Sequence, residues 1–217
     1  MTDAHAHVSC GDPSIREFLV GRDFFGTHPW DAAEYDEGSL VAALEANPAA
    51  GVGEIGLDRL RDRNVSDRMR NVFIAQLRVA AMFGRPVVLH GAKCWGDVVK
   101  TIQGTFPKGS KTPPSFLFHG FSRSGGLVGD IAKLNGFVSI GPSILNDHAV
   151  NYRRLAAEIP GHMLLVETDR TKAGEGPSIA EVIAELARVR GVGMAELEAQ
   201  TDENARVFFK GRGNGNI

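Results

Sequence analysis

The sequence has few cysteines, no long apolar run and almost no excess charge. Its 2 cysteines, Cys10 and Cys94, are too few for a disulfide framework and form no C-x-x-C metal-ligand pair. The apolar runs are far shorter than the roughly 20 residues that a membrane helix needs. The opening MTDAHAHVSC has neither the basic nor the apolar region of a signal peptide. We therefore expect a soluble, cytoplasmic protein with reduced thiols and no membrane partner.

The charge balance excludes little by itself. The formal net charge is -2, so the bulk charge does not indicate nucleic-acid binding, although a local basic patch would still allow it. Hydrophobic residues make up 43% of the chain, which is enough for a packed core. A length of 217 residues suits one domain, 1–217, and we expect a monomer or a weak homo-oligomer.

Short β-branched or aromatic runs alternate with longer helical segments, a pattern typical of a parallel sheet covered by helices. The predicted strands are 2–7, 24–28, 51–56, 86–90, 115–119, 137–140 and 163–167, and 15–20 is either an eighth strand or a short helix. The predicted helices are 39–47, 66–83, 96–102, 124–134, 147–158 and 178–190, with one or two more over 194–209. The sequence thus predicts an α/β fold, a TIM-type (β/α) barrel of seven or eight strands. Because full barrels take about 250 residues, we expect it to be trimmed near the N-terminus.

Polar residues fall at the ends of the predicted strands. Five of the 7 histidines do so, together with two acidic residues: His5, His7, His28, Glu54, His90, His119 and Asp169. The carboxyl ends of barrel strands meet at one mouth, where such folds keep their chemistry. His5 and His7 share one face of their strand because side chains alternate. Imidazole and carboxylate ligands suit Zn²⁺, Mn²⁺ or a similar ion, and Glu54 is placed to bridge two ions.

Neighbouring residues have less specific interpretations. Asp3 either orients a ligand histidine or binds the metal directly, and we favour orientation. Glu167 points away from Thr168 in a strand, so a structural salt bridge is its expected role. Asp58 caps a turn or supports the site, with nothing to separate the two. His148 and His162 lie in helices or loops and are expected to be ordinary polar residues.

Seven segments together resemble the TatD-like hydrolases, a branch of the amidohydrolase-type metal barrels. They are DAHAH at 3–7, GTHPW at 26–30, GEIGLD at 53–58, PVVLHG at 86–91, FHGFS at 118–122, GFVSIGP at 136–142 and LLVETD at 164–169. The run AELEAQTDENARVFF also resembles the closing helix of that family. The resemblance covers nearly the whole chain, and the segments stand in the family's order.

The resemblance implies a centre of two divalent metal ions, Zn, Mg or Mn. It implies that His5, His7 and Asp169 bind the first ion, that Glu54 bridges, and that His90 and His119 bind the second. Members of this family include metal-dependent deoxyribonucleases, some of them 3′-to-5′ exonucleases. Asp169 is our candidate for the group that activates a water, and Glu54 is the second catalytic candidate.

Three segments depart from the family pattern. The stretch after His7 is short, so an early β-α unit or two is expected to be reduced. The arginine that the family carries after the fourth strand is absent, since His90 is followed by GAKCW. Asp169 is followed by RTK where the family has Ala-Pro-Tyr. These changes affect the loops that contact the substrate and leave the ligand set intact.

The loops after the proposed ligands are basic. Arg59, Arg61 and Arg63 follow GEIGLD, and Lys93, Arg123, Arg170 and Lys172 follow later strands. A rim of cations would attract a polyanion and neutralise phosphate oxygens. We assign substrate binding to His28, Lys93, Arg123 and Arg170, with Lys93 and Arg170 as replacements for the missing arginine. Trp30 and Trp95 are candidates for stacking on a base, but we favour core packing for both.

The leading hypothesis is therefore a metal-dependent hydrolase acting on ester bonds, a phosphodiesterase or deoxyribonuclease of the 3′–5′ exonuclease kind, with DNA or another phosphate-containing substrate. In one alternative the metal centre is the same, but the bond that is hydrolysed is an amide, ester or lactone of a small metabolite. Another is a trimmed barrel that binds metal or nucleic acid without turnover. The basic rim favours the phosphodiester, and the complete ligand set favours an enzyme.

Overall fold

Eight parallel strands form the framework of the protein, described by a computed structural model over residues 1–61, 63–107, 109, 113–122 and 125–210. They are β1 Thr2–Ala6, β2 Arg16–Leu19, β3 Phe24–Phe25, β4 Gly51–Asp58, β5 Val87–Ala92, β6 Phe116–Phe118, β7 Gly136–Ile140 and β8 Leu164–Val166. The segment at 15–20 thus contains a strand and not a helix. Most strand residues are buried, as expected for a parallel sheet that is covered on both faces.

The strands lie side by side in chain order. β3 to β8 form a six-stranded sheet, and β1 pairs with β2. The contacts that join these sheets include a parallel bridge between Val20 and Phe24, and a 3.0 Å hydrogen bond from the Asp169 amide to the His5 carbonyl. This order, which returns from β8 to β1, is the TIM-type arrangement predicted from the sequence.

The described part of the chain contains seven α-helices, which lie between and after the strands. They are α1 Glu37–Ala46, α2 Asp67–Phe83, α3 Trp95–Thr105, α4 Val128–Lys133, α5 Val150–Glu158, α6 Ile179–Arg190 and α7 Met194–Phe209. Residues 1–36 are all described and contain no α-helix, so the early β-α units are reduced as expected. The predicted start of the fourth helix, Ser124, lies outside the described residues. Among the described residues, no helix has the length and apolar character that crossing a membrane requires.

An aromatic cluster fixes the loop after β5. The Trp95 ring lies 5.5 Å from both Phe118 and Phe121, and only 3% of the residue is exposed. A Cβ at Gly91 would lie 2.2 Å from this indole, so only glycine fits there. Trp95 is therefore a core residue, as predicted, and it anchors the chain just beyond His90.

Candidate metal centre

The Glu54 carboxylate lies at the centre of a cluster of imidazole rings. Its Oε1 is 3.0 Å from His5 Nε2 and 2.9 Å from His7 Nε2. Its Oε2 is 2.9 Å from His119 Nε2 and 3.4 Å from His90 Nδ1. Each carboxylate oxygen therefore faces a separate pair of ring nitrogens, the arrangement that a carboxylate bridging two cations requires.

Asp169 completes the side of the cluster that faces Oε1. Its Oδ1 lies 3.4 Å from His7 Nε2 and 3.7 Å from His5 Nε2. Its backbone has a φ of 50°, a left-handed conformation uncommon outside glycine, and its amide is bonded to the His5 carbonyl. The side chain is 45% exposed, so it faces both the cluster and solvent.

Three overlapping groups of side chains place their ligand atoms within 4.8 Å of one another. They are His5, His7 and Glu54; His5, His119 and Asp169; and His28, Glu54 and His90. All six predicted ligands therefore lie together. His28, which the sequence assigned to substrate, joins them as a further candidate ligand. Its position after a strand was the signal available for this role.

The chemistry of the donors fits divalent metal ions. The cluster consists of imidazole nitrogens and carboxylate oxygens, the ligands that Zn²⁺ and Mn²⁺ take. Buried imidazoles crowd around a single buried carboxylate, and His5 Nδ1 has no hydrogen-bond partner among the described residues. The protein therefore has a site for divalent metal, in agreement with the prediction.

Asp58 orients His90 from behind. Its Oδ2 lies 2.8 Å from His90 Nε2 and accepts a 2.9 Å hydrogen bond from Trp30 Nε1. Its Oδ1 accepts bonds from the amides of Leu60 and Arg61. An ionised carboxylate only accepts, so His90 Nε2 donates to Asp58, and the other ring nitrogen, Nδ1, faces Glu54. Asp58 thus both caps the turn and supports the site, the two roles that the sequence left open.

Glu167 has a structural role, as the sequence predicted. Its carboxylate accepts hydrogen bonds of 2.7 Å from the Gly120 amide and 2.5 Å from Ser139 Oγ. Its other neighbour is His119 Nδ1, at 3.8 Å. No lysine or arginine pairs with Glu167 among the described residues, so it supports the loop that carries His119. The expected salt bridge is thus made with a histidine, His119, and not with a lysine or arginine.

Asp3 orients His5 through the backbone. Its Oδ1 accepts hydrogen bonds from the amides of Thr168 and His5, and its Oδ2 accepts one of 2.6 Å from Thr168 Oγ1. Its hydrogen bond to His5 reaches the backbone amide and not the imidazole ring. Asp3 also ties β1 to the end of β8, so it positions His5 beside Asp169 through the main chain. Burial raises its pKa to about 6 despite these bonds.

The crowded charges shift the pKa values of the cluster. Burial disfavours the ionised form of Glu54, but the charge and hydrogen bonds of His119, His5 and His7 hold its pKa well below the usual range. Hydrogen bonds to Asp169 and Glu54 raise the pKa of His7 to about 9. Burial and the nearby charge of His90 lower the pKa of His28 to about 4. In the metal-free protein, protons on histidine therefore balance the central carboxylate.

The predicted basic rim is only partly present. Lys93 is exposed and lines a cavity of about 340 Å³ with Arg59 and Lys100. Arg170 instead forms a 3.2 Å ion pair with Glu17, and its side chain is only 8% exposed. The structure therefore does not support the assignment of Arg170 to substrate binding, because Glu17, which is far away in the sequence, already pairs with its guanidinium. Arg123 lies outside the described residues.

The position of Trp30 also differs from the prediction. Core packing was expected, but the residue is 51% exposed and lies in the turn that follows β3. Its ring centroid is 4.9 Å from that of His28, and the Arg61 guanidinium lies 5.8 Å from the indole centroid. The sequence could not reveal this exposed position, because Trp30 is held in the turn after β3 by Asp58, which lies at the end of β4.

Comparisons with known proteins agree with this geometry. A family model described as "TatD related DNase" matches residues 21–210. The chain is 27% identical to the "Uncharacterized metal-dependent hydrolase YabD" of Bacillus subtilis, over 85% of this chain and 76% of that protein. It is also 27% identical to the "3'-5' ssDNA/RNA exonuclease TatD" of Klebsiella pneumoniae, over 85% of this chain and 75% of that one.

Solved structures show the same fold. The TatD homologue YJJV of Escherichia coli superposes with a TM-score of 0.72 at 24% identity, covering 92% of this chain and 78% of that one. A TatD family hydrolase of Entamoeba histolytica gives a TM-score of 0.72 at 14% identity, covering 89% and 75%. These values support the barrel-type fold. Since the family model matches most of the sequence, the chain belongs to the TatD related DNase family of metal-dependent hydrolases.

Proposed function

We propose that the protein hydrolyses phosphodiester bonds in single-stranded nucleic acid as a 3′–5′ exonuclease, with two divalent cations, Zn, Mg or Mn, as cofactors. The observation that carries the proposal is the shared carboxylate: Glu54 faces His5 and His7 with one oxygen and His90 and His119 with the other. The relatives named as 3'-5' ssDNA/RNA exonucleases support the choice of substrate.

In this proposal each half of the centre has its own residues. His5, His7 and Asp169 hold one cation, His90 and His119 hold the other, and Glu54 contributes to both. When bound, the cations supply positive charge that stabilises the phosphate as it gains negative charge and that lowers the pKa of water. The buried Glu54 serves as a ligand because it has no open side towards solvent.

Asp169 is placed to accept the proton of the attacking water. Burial raises its pKa, but the hydrogen bond with His7 and the charges of His119 and His5 outweigh burial and keep its pKa below the ordinary value. It is therefore ionised at neutral pH and partly open to solvent, as a general base must be. His28 and Lys93 remain the proposed phosphate contacts within the described residues, and Arg123 is proposed from the sequence alone.

A nuclease assay tests this function. Protein stripped with EDTA is supplied with Mg²⁺, Mn²⁺ or Zn²⁺ and given single-stranded DNA labelled at its 5′ end. We expect a ladder of fragments shortened from the 3′ end with at least one cation, and none in EDTA. Asp169→Asn should lower kcat by about 10²- to 10⁴-fold, as expected for loss of a general base. Asp130→Asn, at an exposed residue paired with Lys133, is the matched control.

Each alternative has its own outcome. Cleavage that persists in EDTA contradicts the metal mechanism. Hydrolysis of an aryl ester or lactone with no cleavage of DNA or RNA supports the carbonyl alternative and contradicts the phosphodiester. Stoichiometric uptake of metal with no hydrolysis of either class supports a binding module.

A further inference from the structure

We propose that Trp30 and Arg61 form a platform on which an unpaired base next to the scissile phosphate stacks. This inference rests on the proposed function and specifies how the single strand is held. The first argument is position. The Trp30 ring centroid is 4.9 Å from that of His28, which is 4.5 Å from that of His90. The platform therefore lies directly beside His28, which is itself in contact with His90 of the metal cluster.

The second argument is exposure. Trp30 is 51% exposed, so its large apolar side chain faces solvent close to His28, and Leu60, which precedes Arg61 in the chain, is 59% exposed. Trp95, the other tryptophan, is buried in the core. Arg61 adds a planar cation 5.8 Å from the indole centroid, which is close enough for a cation–π contact. Aromatic rings with neighbouring cations are the surfaces on which single-stranded nucleic acids stack their bases.

The third argument is rigidity. The indole is not a loose surface group, because its Nε1 donates a 2.9 Å hydrogen bond to Asp58 Oδ2. Asp58 also accepts from the Arg61 amide and from His90 Nε2. One buried carboxylate therefore sets the position of the platform relative to a metal ligand. A base stacked on Trp30 would place its phosphate at a set distance from the reacting centre.

These features favour a nucleobase over other occupants. A planar, uncharged ring system matches the exposed indole, and its attached phosphate matches the adjacent site for cations. Stacking uses the π-face, which every base has, so we expect little sequence preference. A base within a duplex is already stacked and paired, so a single strand should bind more tightly than a duplex of the same length.

Binding measured without catalysis tests the platform. The full-length protein in EDTA is titrated with a short oligothymidylate and with an abasic oligomer of equal length, and tryptophan fluorescence and anisotropy are followed. We expect the base-containing oligomer to quench fluorescence and to bind more tightly than the abasic one. Trp30→Ala should weaken binding of oligothymidylate by about 5- to 150-fold, the range expected for one stacked base, and should leave binding of the abasic oligomer unchanged.

Trp30→Phe separates stacking from a structural role. Both substitutions remove the hydrogen bond to Asp58, but phenylalanine keeps an aromatic face. Binding within about threefold of the wild type in Trp30→Phe supports stacking. Equal losses in both variants, or an equal loss for both oligomers, would overturn the platform. Met82→Ala, at another exposed apolar residue, on α2, is the control for general loss of apolar surface.

The platform and the proposed function fail in different ways. If the wild type neither binds nor cleaves any oligonucleotide, both the platform and the proposed function are wrong. If the wild type binds and cleaves oligothymidylate while Trp30→Ala binds it equally well, only the platform is wrong.

Discussion

Replacing Asp58 with asparagine tests the link between the platform and the metal centre. The buried carboxylate faces His90 Nε2 at 2.8 Å and Trp30 Nε1 at 2.9 Å through the same oxygen, Oδ2. Both partners donate. In asparagine one of the two oxygens becomes an amide group, which donates and cannot accept. If the amide nitrogen replaces Oδ2, it faces the two donors His90 and Trp30. If it replaces Oδ1, the Leu60 and Arg61 amides have no acceptor. Neither orientation satisfies all four donors.

The size of the effect follows from the role of Asp58. Loss of the partner that orients a metal-binding histidine costs about 10- to 100-fold in metal affinity or activity. This range corresponds to about 1.4 to 2.7 kcal/mol. The loss should fall on the cation held by His90 and leave the half of the centre around His7 largely intact. Asp58 is ionised in the native protein because hydrogen bonds from His90 and its other neighbours outweigh burial and lower its pKa.

Calorimetric titration of stripped protein with Mn²⁺ or Zn²⁺ measures this loss directly. We expect one of two binding steps to weaken in Asp58→Asn. Asp97→Asn is the matched control, because Asp97 forms a 2.6 Å ion pair with Arg59 nearby and touches no histidine of the cluster in the described structure. Unchanged affinity in Asp58→Asn, or an equal loss in Asp97→Asn, would refute the proposed role.

Three further predictions concern protons and stability. Because the pKa of His7 is raised to about 9 without metal, cation uptake at pH 7 to 8 should release protons, and the share released by His7 should fall as pH rises through 9. Calorimetry in buffers of different ionisation enthalpy measures the release, and no release at pH 7 would contradict the charge assignment. Arg170→Ala should destabilise the fold by about 1 to 3 kcal/mol, because the buried Glu17 loses its cation and keeps only the hydrogen bonds from Ser9 and the Cys10 amide. Unchanged stability in urea together with weaker DNA binding would restore Arg170 to the rim. Ser178→Ala should cost about 1 kcal/mol by removing the capping box of α6, whereas an unchanged urea midpoint would show that the cap contributes nothing.

The positions of the proposed metal ligands were largely predictable because they depend on two simple rules. Alternation along β1, continued to the residue that follows it, puts His5 and His7 on one face, and both reach the same oxygen of Glu54. The parallel order of the strands brings their carboxyl ends to one mouth, which gathers His90, His119 and Asp169 there. These rules require only the pattern of strands, which the alternation of apolar runs and helices supplied.

The neighbours of these residues were not predictable in the same way. Arg170 pairs with Glu17 across 153 positions of sequence, and Trp30 bonds to Asp58 across 28. Such contacts depend on the exact path of the loops, about which periodicity carries no information. The shortness of β3 was missed for a related reason: the amide and carbonyl of Thr27 bond to the side chain of Gln76, which lies on α2, and not to a neighbouring strand. The strand therefore ends at Phe25, and His28 follows in a turn.

Metal content of the wild type and of Glu54→Gln is the most direct test of the shared centre. Each protein is loaded with Zn²⁺ or Mn²⁺, dialysed and analysed by mass spectrometry, with circular dichroism as the check on folding. We expect two ions per chain in the wild type and at most one in a folded Glu54→Gln, because Glu54 is the one predicted ligand that faces both pairs of histidines. A wild type that takes up no more than one ion, or a Glu54→Gln variant that keeps two with unchanged affinity, would contradict the bridged centre.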